Sequence, residues 1–160
     1  MAKLRDALTT RGFGNVRTYI QSGNVVYEPP SGASRSRKAL AAEAAEIASS
    51  IDELHGFSPA VMVFDAAEVA RHLHASPFGS ADPSQAFLVF VDGDIGALGD
   101  LDALATNGEE WEAIDGVLHL HCPNGIGRSK LGAKLAGTQR VPTTARNLRT
   151  VSKVLELAGA

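Results

Sequence analysis

The chain has 160 residues and a formal net charge of −3, which suits one domain or two small subdomains. Apolar residues make up 44% and charged residues 21%, so a packed core is expected and disorder of the whole chain is excluded. No apolar run approaches the ~18 residues that span a bilayer, and the amino terminus lacks a signal peptide's apolar stretch. We therefore expect a cytoplasmic protein with no membrane association.

Charge is unevenly distributed along the chain. Residues 1–120 hold eight Lys and Arg against 17 Asp and Glu, whereas residues 121–160 hold seven Lys and Arg against Glu156 alone. An acidic middle segment next to a basic carboxy-terminal segment has two explanations. The two segments attract each other, or the basic segment binds an anionic partner.

The first elements are predicted from apolar spacing. Residues 2–11 have helical spacing and end at Gly12, and residues 15–28 form two β-rich runs around Gly23, which indicates a hairpin. Residues 34–54 are rich in Ala and Glu and predict a long helix.

Shorter elements follow. Residues 59–64 predict an apolar strand, and Asp65 is placed to cap a helix that runs through His74. Residues 85–91 are nearly all apolar and predict a central strand covered on both faces.

The last elements are two helices after a hairpin. Residues 96–106 are predicted helical, and residues 110–122 form a hairpin around Asp115-Gly116. Residues 128–136 and 144–158 are predicted to be the final helices.

The order of these elements predicts an α+β fold with two ferredoxin-like subdomains in tandem, over residues 1–75 and 76–160. The first subdomain lacks its opening strand, so we expect either that this chain starts after a native strand or that another segment fills the vacancy. The exposed sheet edge would then favour a homodimer formed by strand addition.

Two stretches carry a family resemblance: R-T-Y-I-Q-S-G-N-V-V-Y at 17–27, and N-G-I-G-R-S-K-L at 124–131 followed by T-T-A-R-N-L-R-T-V at 143–151. They resemble the domain-of-unknown-function 1697 family, bacterial α+β proteins of two subdomains with no established biochemical role. Members of that family typically open with a strand and a glycine-containing loop before the helix that starts here at Met1. The resemblance implies a fold and no reaction.

The strongest chemical pattern is an anion site after the second hairpin. Gly125 and Gly127 follow a predicted strand, and Arg128, Ser129 and Lys130 begin a predicted helix. Glycines let backbone amides converge, and the amides of a helix start favour an anion. The alternative is a tight turn in which Ser129 caps the helix.

The predicted start of the last helix adds cations. Thr143 or Thr144 would cap it, and Arg146 could bind phosphate or carboxylate through its fork of donors, with Asn147 beside it. If this helix start faces the glycine turn, the cations converge on one ligand. The alternative is structural: Arg146 pairs with an acidic residue and Asn147 ties down a loop.

A second candidate set lies in the first half of the chain. Tyr19, Gln21, Ser22 and Asn24 bracket the Gly23 turn and could line a cleft between the subdomains, or simply satisfy backbone groups.

Other chemistry is weakly supported by the sequence. His119 and His121 share a strand face, while His72 and His74 point apart on a helix, so no metal site is expected. Cys122 is the single cysteine, which excludes an internal disulfide. Nothing in the sequence indicates a cofactor.

These observations predict a protein that binds a phosphate-bearing small molecule, another anion or a nucleic acid through a basic carboxy-terminal site. They leave open whether the chain is an enzyme. The alternatives are an enzyme that acts on a small phosphorylated or nucleotide substrate, and a protein-interaction module with no small ligand.

Overall fold

The computed structural model describes residues 1–20, 23–136 and 141–160. These residues divide into two compact units: Met1–Glu68 with Lys153–Ala160, and Val69–Ser152. The described part has a mixed α/β architecture with two antiparallel sheets and five α-helices. None of the helices among these residues has the length and hydrophobicity needed to cross a membrane.

The first unit is built on a two-stranded sheet and two helices. Helix α1 (Ala2–Thr10) precedes the hairpin of β1 (Gly14–Tyr19) and β2 (Asn24–Glu28), and helix α2 spans Arg37–His55. The hairpin predicted over residues 15–28 and both predicted helices are confirmed. The buried side chains that form this core are Leu4, Leu8, Phe13 and Ile47.

The strand predicted over residues 59–64 is wrong, because this segment has no strand pairing. Its apolar side chains have another role: Val61 and Val63 pack against the core of the first unit. The predicted cap that follows is confirmed. Oδ1 of Asp65 accepts a hydrogen bond from the amide of Ala67 at 3.0 Å, at the start of α3 (Ala66–His74).

The second unit is built on a four-stranded antiparallel sheet in the order β4-β5-β3-β6. Its strands are β3 (Ala86–Val91), β4 (Glu110–Ile114), β5 (Val117–His121) and β6 (Thr143–Asn147). The central position predicted for residues 85–91 is confirmed, since β3 lies between β5 and β6 with almost every residue buried.

The two faces of this sheet differ in chemistry. Side chains alternate between faces along each strand. One face, which we call the apolar face, carries Val89, Leu118 and Ala145 and packs against Leu131 and Leu135 of α4 (Lys130–Ala136). The opposite face, which we call the histidine face, carries one row of facing residues across all four strands: Glu112, His119, Leu88 and Arg146.

The connections of the second unit match the predictions in part. Asp115 (φ 47°) and Gly116 (φ 82°) both occupy the left-handed region between β4 and β5, as a two-residue hairpin turn requires. Residues 96–106 were predicted as one helix but form two short 3-10 helices, Ile95–Leu98 and Asp102–Leu104.

The helix predicted over residues 144–158 is wrong in its first turn. Thr143–Asn147 forms the edge strand β6, paired antiparallel with β3, and the final helix α5 spans Leu148–Ala158. Thr143 and Thr144 therefore do not cap that helix. The cap is Asn147, whose Oδ1 accepts from the amide of Thr150 at 2.9 Å.

Candidate functional site

The glycine turn predicted to bind an anion follows β5 directly. Gly125 has φ 83°, a conformation that favours glycine, and a 3-10 helix over Ile126–Arg128 leads into α4. A Cβ atom at Gly125 or at Gly127 would meet no atom within 4 Å. The outer side of the turn is therefore open backbone.

Ser129 lies inside this turn and serves the fold. The residue is buried, and its hydroxyl oxygen accepts a hydrogen bond from the amide of Gly132 at 2.9 Å. Ser129 therefore caps α4, which is the alternative to ligand contact that we considered from the sequence. Ser129 is thus held at the inner side of the turn.

A buried carboxylate lies beside Ser129. Glu109 is 8% exposed, and its Oε2 accepts from the amide of Asn107 at 2.6 Å. The pKa of Glu109 is lowered, mainly by a hydrogen bond from the Ser129 hydroxyl and to a smaller extent by the backbone amide of Asn107. Burial acts in the opposite direction. This carboxylate is therefore ionised at neutral pH. The side-chain amide of Asn124 donates to the Asn107 carbonyl at 2.9 Å and joins this loop to the glycine turn.

The thiol of Cys122 lies in the same buried region. Burial, and then the charge of Glu109, raise the pKa of Cys122 to about 11. A thiol with that pKa is almost entirely protonated at neutral pH, which disfavours a nucleophilic role.

Arg128 and Lys130 project from the outer side of the turn. Both residues are exposed, on either side of the buried Ser129. Neither has a carboxylate within the 4.0 Å of an ion pair among residues 1–20, 23–136 and 141–160. By contrast, Nη1 of Arg71 lies 2.9 Å from Oδ2 of Asp115, and Nη2 of Arg149 lies 3.7 Å from Oδ1 of Asp82.

Thr144 and Arg146 do not lie on the side of the sheet that carries this turn, so the convergence considered from the sequence does not include them, and Asn147 serves as the cap of α5. Thr144 and Arg146 project from the histidine face of the sheet, whereas Ile126 of the turn packs with Ala145 on the apolar face. The physical reason is the strand alternation of β6, which a helix would not impose. Nη1 of Arg146 donates to Oγ1 of Thr144 at 2.7 Å and to the Ala145 carbonyl at 2.8 Å, and burial lowers the pKa of Arg146.

The second candidate set is described in part. Gln21 and Ser22 lie outside the described residues. Tyr19 and Asn24 face each other across the hairpin, and the side-chain amide of Asn24 donates to the Tyr19 carbonyl at 3.2 Å. This contact satisfies a backbone group, as the alternative interpretation proposed.

Two polar clusters were not predicted from the sequence. In the first unit, the Glu43 carboxylate accepts from the Tyr27 hydroxyl and from Nη1 of Arg35. In the second unit, His72 and His119 are both fully buried, with ring centroids 5.8 Å apart. No spacing pattern could reveal either pair, because the partners come from different elements.

The remaining histidines do not form a metal site with them. His121 shares the histidine face with His119, as predicted, and its Nδ1 lies 3.4 Å from Oε1 of Glu110. Its ring stacks on Phe78 at a centroid distance of 5.7 Å. The part of the chain that the structure describes holds no group of three or more His, Cys, Asp or Glu suited to a metal ion.

Sequence comparison identifies the family. A family model described as "Protein of unknown function (DUF1697)" matches residues 1–119. The chain belongs to the DUF1697 family. The DUF1697 match ends within β5, so the glycine turn, α4 and β6 lie beyond it. No curated protein matches the chain.

A solved structure shares the fold of this DUF1697 member. It is the conserved bacterial protein SP0830 from Streptococcus pneumoniae, with a TM-score of 0.66 and 19% sequence identity. The alignment covers 99% of this chain and 88% of that one. At this identity the likeness supports the fold and no activity.

Proposed function

We propose that this protein binds a phosphate-bearing or other anionic ligand on the outer side of the glycine turn. Arg128 and Lys130 supply the positive charge, and Gly125 and Gly127 supply open backbone between β5 and α4. The observation that carries this proposal is the exposure of two cations with no carboxylate in ion-pair range among the described residues. Cations left without a protein partner favour an anionic ligand.

The ligand would approach from solvent and not from the core. Ser129 and Glu109 occupy the inner side of the turn, and the ionised carboxylate of Glu109 repels an anion there. Gly127 lacks a side chain and leaves space at the outer surface. The predicted contacts are therefore the side chains of Arg128 and Lys130 and the backbone of the turn, with Ser129 as support.

Arg146, Thr144 and Asn147 do not contribute to this site in our proposal. Arg146 and Thr144 project from the histidine face, and Asn147 caps α5. An Arg146→Ala variant should therefore bind the ligand as the parent protein does, provided that it folds.

A thermal shift panel tests the proposal with three probes: inorganic phosphate, ATP and a single-stranded oligonucleotide. A ligand at 100 times its Kd raises the free energy of unfolding by about 2.7 kcal/mol. At least one probe should stabilise the parent protein and fail to stabilise R128A/K130A. The matched control is R37A/K38A, which removes two exposed cations beside Ser36, the serine that caps α2.

The panel also separates the alternative functions. An oligonucleotide that binds with a steep salt dependence indicates nucleic acid, and conversion of bound ATP indicates an enzyme. If no probe stabilises the protein, or if both double variants lose the effect equally, the proposal is wrong and a protein-interaction module becomes the better hypothesis.

We also propose that the second unit is a ferredoxin-like subdomain. In chain order its strands are β3, β4, β5 and β6, and the sheet order β4-β5-β3-β6 is that of a split βαβ sheet. The first connection holds two 3-10 helices in place of one α-helix. An experimental structure with β6 at the sheet edge beside β3 would support this assignment, and a different partner for β6 would overturn it.

A further inference from the structure

Two histidines from different elements meet on the histidine face of the second unit. His119 lies at the centre of β5 and is 0% exposed, and His72 lies on α3 and is 1% exposed. Their ring centroids are 5.8 Å apart and the ring planes are inclined by 47°. The carboxy-terminal part of α3, residues 69–74, thus rests on the sheet through an imidazole pair.

Charged groups flank this pair on the histidine face and along α3. Glu112 faces His119 from β4, and Arg146 lies in the same row on β6, beyond Leu88. His121 lies two residues along β5 on the same face. On α3 the neighbouring titratable groups are Glu68, Arg71 and His74, of which Arg71 pairs with Asp115. Glu112 is thus the one carboxylate in the row with His119, and it is exposed.

This environment favours a neutral ring at His119. Neither ring nitrogen of His119 has a hydrogen-bond partner among the described residues, and burying a charge without such partners costs far more than burying a neutral imidazole. Burial, and then His72, lower the pKa of His119 against the smaller opposing effect of Glu112.

We propose that His72 and His119 form an acid-sensitive latch, which holds residues 69–74 of α3 against the sheet while the His119 ring is neutral and releases them when that ring takes up a proton. The inference is independent of the anion site, since the pair lies on the histidine face and the glycine turn packs on the apolar face.

The direction of the pH effect follows from linkage. Because the pKa of His119 is lower in the folded protein than the ordinary value of about 6.5, the unfolded chain binds more protons in this range. The contribution of the latch is complete above about pH 6.5 and is lost as the pH falls below it. A single histidine that stays neutral in the folded protein changes the unfolding equilibrium by up to about tenfold per pH unit.

Trp111, the single tryptophan, lies on β4 and reports on the second unit. Urea unfolding, monitored by Trp111 fluorescence at several pH values between 8 and 5, measures how the unfolding equilibrium constant changes with pH; we call this change per pH unit the pH slope. In the His119→Leu variant this pH slope should be smaller than in the parent protein, by up to about tenfold per pH unit. The control His74→Leu removes an exposed histidine from the same helix and should keep the parent slope.

If His119→Leu does not fold, His119→Gln also removes the titrating ring and provides the test instead. A pH slope that is unchanged in the folded variant overturns the latch.

Hydrogen exchange locates the release. Protection factors at pH 7.5 and pH 5.5 should show that residues 69–74 lose protection at the lower pH while β3 keeps it. If α3 and β3 lose protection together, or if neither loses protection, the release of α3 is contradicted.

Discussion

The hydroxyl of Tyr27 donates a hydrogen bond of 2.5 Å to Oε2 of Glu43, and this contact joins β2 to α2. Glu43 is buried and also accepts from Nη1 of Arg35, whose Nε reaches Oδ2 of Asp65 at 3.4 Å. Burial, and then Glu43, raise the pKa of Tyr27, so its phenol stays a donor. The network stabilises the start of α2 and the residue that caps α3.

Tyr27→Phe should therefore destabilise the protein. The change removes one donor from a buried carboxylate that keeps Arg35 as partner, and the expected cost is about 1–3 kcal/mol. Urea unfolding monitored by far-UV circular dichroism measures it. Tyr19→Phe is the matched control and should be close to neutral. Equal effects of the two variants would show that the Glu43 contact contributes nothing specific.

Two glycines near the candidate site should respond differently to alanine. A Cβ atom at Gly132 would lie 2.6 Å from the Ile126 carbonyl oxygen, whereas a Cβ at Gly127 would meet nothing within 4 Å. Gly132→Ala should cost about 1–3 kcal/mol, as overpacking typically does, and Gly127→Ala should be nearly neutral. Urea unfolding followed by Trp111 fluorescence compares them, and a reversed order would contradict the packing of the turn on α4.

The cap of α5 gives a third prediction. Asn147→Ala removes the oxygen that accepts from the Thr150 amide, and the expected loss is about 1 kcal/mol. Asn147→Asp keeps an acceptor for the Thr150 amide and should therefore retain most of the stability that Asn147→Ala loses. Thermal unfolding of both variants measures the difference. If the aspartate variant is no more stable than the alanine variant, Asn147 does not act as a cap.

The buried thiol gives a prediction for chemical reactivity. Because burial and Glu109 raise the pKa of Cys122 to about 11, the native protein should react slowly with Ellman's reagent at pH 8. The same raised pKa stabilises the fold below the ordinary thiol pKa of about 8.5, and this contribution is lost as the pH rises towards 11. Denatured protein should react at the rate of a free thiol. Rapid reaction of the native protein would show that Cys122 is accessible.

Local patterns in the sequence predicted elements whose structure depends on local interactions. The Asp115-Gly116 turn, the long helix α2 and the apolar strand β3 were all predicted, because backbone preference and hydrophobic pattern agree there. The segment Thr143–Asn147 was predicted wrongly. It lacks an apolar alternation, and pairing with β3 makes it a strand.

The glycine turn on which the anion site is proposed was also predicted from local sequence. Gly125, Arg128 and Lys130 are near each other in the chain, and their shared turn follows from local sequence. The position of Arg146 depends on which face of the sheet β6 presents, which only the register with β3 decides. The pair of His72 and His119 is set by packing between α3 and β5, so no local pattern indicates it.

The most direct test of the anion site is a titration of isotopically labelled protein with inorganic phosphate, followed by amide NMR shifts. Our account predicts saturable shifts at Gly125, Gly127 and Arg128, none at Arg37 and Lys38, and loss of the response in R128A/K130A. Saturable shifts elsewhere with none at the turn, or no response up to millimolar phosphate and ATP, would contradict it.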